Sequence, residues 1–138
     1  MPSVAKTSGS RGLQVYIPLN SPSVSYGTTK PLARSVAELL EAQTPRKVVS
    51  RMARSLRGGK VLVDWSQNTE HKSMVCAYSV RARERPTVST PVDWDEIEAG
   101  LDAGDASLLV FDTDAVLDRV AAHGDLFADM VTLVQEPA

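Results

Sequence analysis

Asp64 closes a short apolar run, Val61-Leu62-Val63, and a carboxylate in that position is costly to bury unless it is paired, hydrogen-bonded or bound to a metal ion. The residues alone leave a structural hydrogen bond and a ligand role both open. A second run, Met74 to Arg81, reads as a strand that sets Met74, Cys76, Tyr78 and Val80 on one face and Val75, Ala77, Ser79 and Arg81 on the other, and it ends on a cation. If the two runs form a hairpin turning at Glu70 and His71, Asp64 faces residue 77, and Arg81 stands roughly 13 Å along the ladder. That separation suits a ligand whose charge is spread over its length, such as a triphosphate, better than a direct ion pair. The segment Lys6-Thr-Ser-Gly-Ser-Arg-Gly12 is rich in glycine and hydroxyls, which favours close approach of backbone to phosphate oxygens. It lacks the spacing of a Walker loop, and an apolar alternation follows it instead of a helix.

Other chemistry finds little support. His71 and His123 stand apart, without Cys or carboxylate neighbours at zinc-ligand spacing. Cys76, the single cysteine, has no internal disulfide partner and reads as a small buried apolar residue of a strand.

Positioning these groups requires a particular set of elements. Residues 1–12 show no apolar periodicity and are expected to be a loop or frayed arm. Leu13, Val15, Ile17 and Leu19 alternate with polar residues, so a strand is expected with those four facing the core and Gln14 facing away. Pro31 is expected to open a helix with a stripe of Leu32, Val36, Leu39, Leu40 and Gln43. Thr44 is expected to cap a second helix, buried through Val48, Val49, Met52 and Leu56 and stopped by Gly58-Gly59. Its other side then carries Arg46, Lys47, Arg51, Arg54 and Arg57, which read either as a solvated face or as a surface for a phosphate backbone. With the hairpin, the order becomes β-α-α-β-β. The expected fold class is α+β, an RNA-recognition or ferredoxin-like antiparallel sheet unit followed by short C-terminal helices. Those helices are expected to start at Thr90-Pro91, at Thr113 as cap, and at Asp125 as cap.

The chain has 138 residues, 43% hydrophobic and 23% charged, as expected for one soluble domain spanning residues 1–138. Its formal charge of −2 conceals an asymmetry. Residues 1–87 hold 14 Lys/Arg against 5 Asp/Glu, whereas residues 88–138 hold 1 against 12. A basic body followed by an acidic tail reads either as a surface that meets polyanions or as opposite patches that pair with each other or face water. With no long apolar run and no charged-then-apolar leader, a soluble cytoplasmic chain without membrane contact is expected.

Four strings in order, K-T-S-G-S-R-G-L-Q-V-Y-I-P-L, G-K-V-L-V-D-W-S-Q-N, Y-S-V-R-A-R and P-T-V-S-T-P-V-D-W-D-E-I-E, closely resemble the primase-polymerase domain of bacterial ligase D, within the archaeo-eukaryotic primase superfamily. The resemblance runs from about Lys6 to Gln135 and covers the C-terminal half of that domain, half of a primase-type catalytic core. It implies metal-dependent nucleotidyl transfer to DNA ends in non-homologous end joining, with Mn²⁺ or Mg²⁺, a nucleoside triphosphate and DNA as its ligands. On this resemblance Asp64 matches a catalytic metal-binding aspartate, Ser8 and Arg81 match residues that hold the triphosphate, and Gln67 matches a polar residue near the nucleotide. Gln14 stands where the family has a histidine, which removes a group able to carry a proton. Arg51, Arg54, Arg57, Lys60 and Lys72 fall in the segment that resembles the nucleotide and DNA site. The family's Asp-x-Asp metal motif is expected ahead of Ser8, where this chain has seven residues. Asp112-Thr-Asp114 is out of order for that motif, and is expected instead to be a helix cap with a first-turn acid. The expected function is therefore a partial nucleotide site, weak or inactive alone. The alternatives are a split polymerase completed by another chain, and a non-catalytic DNA-binding module. Lacking the partner half, the sheet is expected to expose apolar surface, and self-association or pairing with another chain is expected.

Overall fold

The computed structural model describes residues 1–137, which form a mixed α/β protein with small sheets and several helices. They fall into two compact units that interleave along the chain: residues 1–20 with 75–135, and residues 21–74 with 136–137.

In the first unit, β1 (Val4–Thr7) lies between β2 (Leu13–Tyr16) and β7 (Pro91–Val92), antiparallel to both. The N-terminal segment expected to be a loop is thus the central strand. Its only charged residue, Lys6, is 1% exposed, so a position that looks like a polar interruption in the sequence is in fact buried. The facing of β2 is also reversed from expectation. Leu13 and Val15 are exposed, while Gln14 and Tyr16 are half-buried, Tyr16 packing edge-on against Phe127 at 5.2 Å. Alternation specifies two faces but not which one the rest of the chain covers.

β5 (Val80–Arg81) pairs antiparallel with β6 (Thr87–Val88) rather than with the apolar run before Asp64. The expected hairpin does not form. Tyr78, at φ +64, turns the backbone just before β5, and Cys76 lies outside any strand and is exposed, not buried. Thr90 and Pro91 belong to the sheet region, and α2 (Trp94–Ala103) starts after Asp93, whose N–H donates to Glu96 at 2.9 Å. In α3 (Thr113–His123) the cap is Asp112, which accepts from the Ala115 N–H at 2.9 Å, with Thr113 as first helical residue and Asp114 in the first turn. Asp125 instead accepts from Phe127 N–H and from the Tyr78 hydroxyl, and the last helix is only α4 (Asp129–Thr132). Ala5, Val88, Val92 and Val116 form the apolar core. Arg119, the single cation after residue 87, makes a two-pronged ion pair with Glu96 and lies 4.5 Å from the Phe111 ring, tying α2 to α3.

The second unit is built on α1 (Tyr26–Gln43), which starts earlier than expected and carries Pro31 inside it. Ala37 is its buried residue, while Val36, Leu39 and Leu40 of the expected stripe are exposed. The second helix does not form. Val48–Val49 is strand β3, paired parallel with β4 (Val61–Leu62), and only Arg54–Leu56 makes a single 3₁₀ turn. Apolar spacing at 48, 49, 52 and 56 fits a helix, but two adjacent β-branched residues also fit a strand, and pairing with Val61 and Leu62 decides between them.

Candidate functional site

The β1–β2 connection, residues 8–12, is a closed turn. Ser8 N–H donates to Gly12 O at 2.8 Å, and the Ser8 Oγ accepts from the N–H groups of Ser10 and Gly12 at 3.1 and 3.2 Å. Gly9 adopts φ +64, and a Cβ placed there would lie 2.6 Å from Arg81 Cγ and 3.1 Å from Ser89 N. The glycine is therefore needed twice, for its left-handed backbone and for the passage of the Arg81 stem across it. Thr87 Oγ1 donates to Gly9 O at 2.6 Å and Arg83 donates to Ser10 Oγ, so the β5–β6 hairpin is fastened onto this turn.

Beneath the turn lies a buried polar cluster. Lys6 Nζ donates to Gln14 Oε1 at 2.5 Å and to Ser89 Oγ at 2.7 Å, and Ser89 Oγ donates to Thr7 O at 2.7 Å. The Thr7 hydroxyl accepts from Thr90 N–H at 3.0 Å. Burial pushes the Lys6 ammonium down to about 8, with the Arg81 charge pushing the same way and Cys76 opposing. Among the described residues, the Arg81 guanidinium, the Gln14 Nε2 and the Ser8 hydroxyl proton have no protein acceptor. Ser8, Gln14 and Arg81 thus gather around one turn of the first unit, donors facing no carboxylate.

Asp64 belongs to the second unit and is exposed. It follows β4 and caps a single 3₁₀ turn, Trp65–Gln67, accepting from Ser66 N–H at 3.1 Å, Ser66 Oγ at 2.6 Å and Gln67 Nε2 at 2.8 Å. Lys72 Nζ donates to Ser66 Oγ at 2.6 Å. Partial burial pushes the Asp64 carboxyl up, but the hydrogen bonds from Ser66 and Gln67 and the Lys72 charge outweigh it and hold the group below its ordinary value. The turn is held in place by Trp65, whose ring lies 5.3 Å from the Arg34 guanidinium and whose Nε1 donates to Ser50 O at 2.9 Å, and by Glu41, which accepts from Ser50. Asp64, Gln67 and Lys72 are therefore together. The expected ~13 Å ladder between Asp64 and Arg81 has no counterpart, because β4 pairs with β3 and β5 with β6.

The basic segment presents no common helix face. Arg51 pairs with Glu41 at 3.4 Å, Lys60 donates to Pro45 O at 2.6 Å, Arg57 donates to Met52 O, and Arg54 lies in the 3₁₀ turn. A cleft of about 310 Å³ elsewhere in the first unit is lined by Ser3, Val92, Trp94, Asp93, Asp125 and Asp129, and none of the predicted site residues borders it.

A family model described as "LigD, primase-polymerase domain" matches residues 1–127 of the chain. The chain belongs to the LigD primase-polymerase family. It is 46% identical over 124 residues to the multifunctional non-homologous end joining protein LigD of Mycolicibacterium smegmatis, covering 90% of this chain and 15% of that protein. It is 32% identical over 127 residues to the bifunctional LigD of Bacillus subtilis, covering 92% of this chain and 20% of that protein. The solved polymerase domain of Mycobacterium tuberculosis ligase D, in complex with DNA, superposes with a TM-score of 0.85 at 41% identity, covering 96% of this chain and 44% of that one. The chain thus spans about a fifth or less of these curated relatives, and just under half of the solved domain.

LigD primase-polymerase domains are in general metal-dependent. In this LigD-family chain no three His, Cys, Asp or Glu residues cluster at ligand spacing among the described residues, and three of Asp64's acceptor positions are taken by its own turn. One carboxylate does not fit a two-metal centre, whose ions sit ~3.5–4 Å apart and share several carboxylates. Among the described residues no helix is long and apolar enough to cross a membrane.

The sequence reading missed Lys6, Ser89 and Thr90 as parts of the site's foundation. The available signal was the placement of Lys6 and Gln14 eight positions apart on either side of a glycine-rich segment, which fits a hairpin.

Proposed function

We propose that this chain supplies the triphosphate-holding part of a LigD-type nucleotidyltransferase site and does not catalyse nucleotide addition by itself. One observation carries the reading: Ser8, Gln14 and Arg81 place hydrogen-bond donors and a guanidinium around the β1–β2 turn with no acceptor of their own. Guanidinium and amide donors at a glycine-rich turn bind phosphate oxygens through charge-assisted hydrogen bonds. Asp64 and Gln67 form the other part, as the metal ligand and nucleotide contact that the family resemblance assigns. A divalent ion, Mg²⁺ or Mn²⁺, would be held only where further carboxylates join Asp64. The ferredoxin-like sheet belongs to this reading as the plan of the completed catalytic core.

DNA is the second ligand, supported by the solved relative's complex with DNA and by the basic stretch containing Arg51, Arg54, Arg57, Lys60 and Lys72. A second chain, or a second copy of this one, is the proposed cover for Leu13 and Val15, which are 43% and 56% exposed on β2. Nucleoid association follows from DNA binding.

The test is equilibrium binding of a nucleoside triphosphate by the purified chain, with and without Mn²⁺, alongside the Arg81→Ala variant. Retained binding in wild type, a loss of roughly tenfold or more in the variant, and no nucleotide addition to primed DNA are the expected results. Robust nucleotide addition by the chain alone would overturn the assignment, as would triphosphate binding indifferent to Arg81. DNA affinity that falls steeply with salt and ignores nucleotide would favour the binding-module reading instead.

A further inference from the structure

We propose that Lys6 is a positioning residue that locks the side-chain amide of Gln14 with its nitrogen outward, so that position 14 presents only donors to a phosphate chain. The proposal rests on the triphosphate reading above and assigns Lys6 its task within that site.

Lys6 and Gln14 are directly opposed in the antiparallel register of β1 and β2, and their side chains share a face. An ammonium has three donors and no acceptor, so the atom of Gln14 that faces Lys6 Nζ at 2.5 Å must be the oxygen. The carboxamide is planar with its two polar atoms on opposite arms, so fixing the oxygen inward sends the NH₂ group the other way. That nitrogen has no protein acceptor among the described residues.

The lock itself is buried and hydrogen-bonded. Lys6 is 1% exposed, its second bond goes to Ser89 Oγ at 2.7 Å, and Ser89 is committed as donor to Thr7 O. The Tyr16 ring lies 5.8 Å from Nζ on a further side. A lysine so enclosed reaches a ligand through Gln14 rather than by contact. An unrestrained glutamine presents oxygen or nitrogen with little preference, and an amide oxygen repels phosphate. The buried charge removes that wrong orientation and polarises the amide, strengthening its N–H donors. A glutamine here thus becomes a dedicated anion donor only because Lys6 stands behind it.

The experiment is nuclear magnetic resonance of the ¹⁵N,¹³C-labelled full chain, titrated with inorganic tripolyphosphate. The expected result is a scalar coupling across the Lys6 Nζ–H···Oε1 Gln14 bond, with Gln14 side-chain NH₂ signals that move together with those of Ser8 and Arg81. Lys6→Met and Gln14→Met each weaken tripolyphosphate binding roughly tenfold, and the double variant binds no worse than Gln14→Met alone. Additive losses would mean that the lysine meets the anion itself and would overturn the proposal. Movement at Ser8 and Arg81 without movement at Gln14 would also overturn it while leaving the triphosphate reading intact. Silence at all three positions would overturn both. If Lys6→Met does not fold, Gln14→Glu decides: it keeps an acceptor for Lys6 but turns an anionic oxygen outward. It is expected to retain the fold and lose tripolyphosphate binding by at least tenfold, and unchanged binding would sink the proposal.

Discussion

Two polar clusters, one around Lys6 in the first unit and one around Asp64 in the second, use similar hydrogen-bonding groups in opposite ways. The Lys6 cluster is buried and joins residues about 80 positions apart, with Ser89 and Thr90 meeting Lys6 and Thr7. The Asp64 cluster is exposed and local, its partners lying two and three residues away. A buried network is costly when broken and rigid when whole, whereas an exposed cap is cheap to alter and free to take new partners. On the proposed reading the first unit holds an anion site in a fixed shape, and the second presents a carboxylate whose bonds can be exchanged.

The largest separation between the two clusters should appear with pH. Burial lowers the Lys6 pKa to about 8 against an ordinary value of 10.5. Between these values the unfolded chain binds the extra proton, so the stability contribution rises with pH, and below 8 the full cost of burying the charge applies. The titratable groups facing Lys6 are Tyr16, Cys76 and Arg81. Tyr16 is itself raised by burial and acts in the opposite sense above pH 10. The measurement is therefore a difference: urea unfolding of wild type and Lys6→Met at pH 7.5 and 9.5. Wild type should gain about 2 kcal/mol relative to the variant across that interval. A difference independent of pH would show that the lysine is not held in a desolvating site.

Two glycines sharpen the contrast at comparable magnitude. Gly9 and Gly59 have almost the same backbone angle, φ +64 and +67, but a Cβ at Gly9 meets Arg81 and the Ser89 backbone whereas one at Gly59 meets nothing within 4 Å. Gly59→Ala should cost about 1 kcal/mol, the left-handed penalty alone. Gly9→Ala should cost about 2–3 kcal/mol, because a packed backbone neighbour must also move. Equal chemical-denaturation midpoints for the two variants would remove the distinction between a filled and an open turn.

The same division explains what was legible in the sequence. The Asp112 and Asp93 helix starts, the apolar run before Asp64 and the four family strings depend on neighbours along the chain, and they were read to within a few residues. Lys6 was not, because its role is set by Gln14 and Ser89, which reach it only after β1 has found β2 and β7. The helix expected over residues 45–57 failed for a related reason: the same apolar spacing serves a strand once Val61 and Leu62 are alongside. The inward face of β2 was misassigned because alternation is symmetric, and Leu13 and Val15 are apolar without being covered. Family membership was readable through motif resemblance, while the network around Lys6 was a tertiary property.

The smallest effect on stability should come from the residue with the largest proposed chemical role. Asp64→Asn preserves an oxygen for Ser66, and Gln67 can rotate its amide to offer an oxygen to the new NH₂ group. Because the turn is exposed, water replaces whatever is lost, and the cost to unfolding stability should stay below about 1 kcal/mol. The change nevertheless removes a negative charge, which an Mg²⁺ or Mn²⁺ ion requires of an oxygen ligand far more than a helical turn does. Thermal unfolding measured beside Mn²⁺ binding in a complex that restores the remaining carboxylates should therefore show a nearly unchanged midpoint and abolished metal binding. A loss above about 2 kcal/mol with metal binding intact would assign Asp64 to the architecture of its turn and remove it from the site.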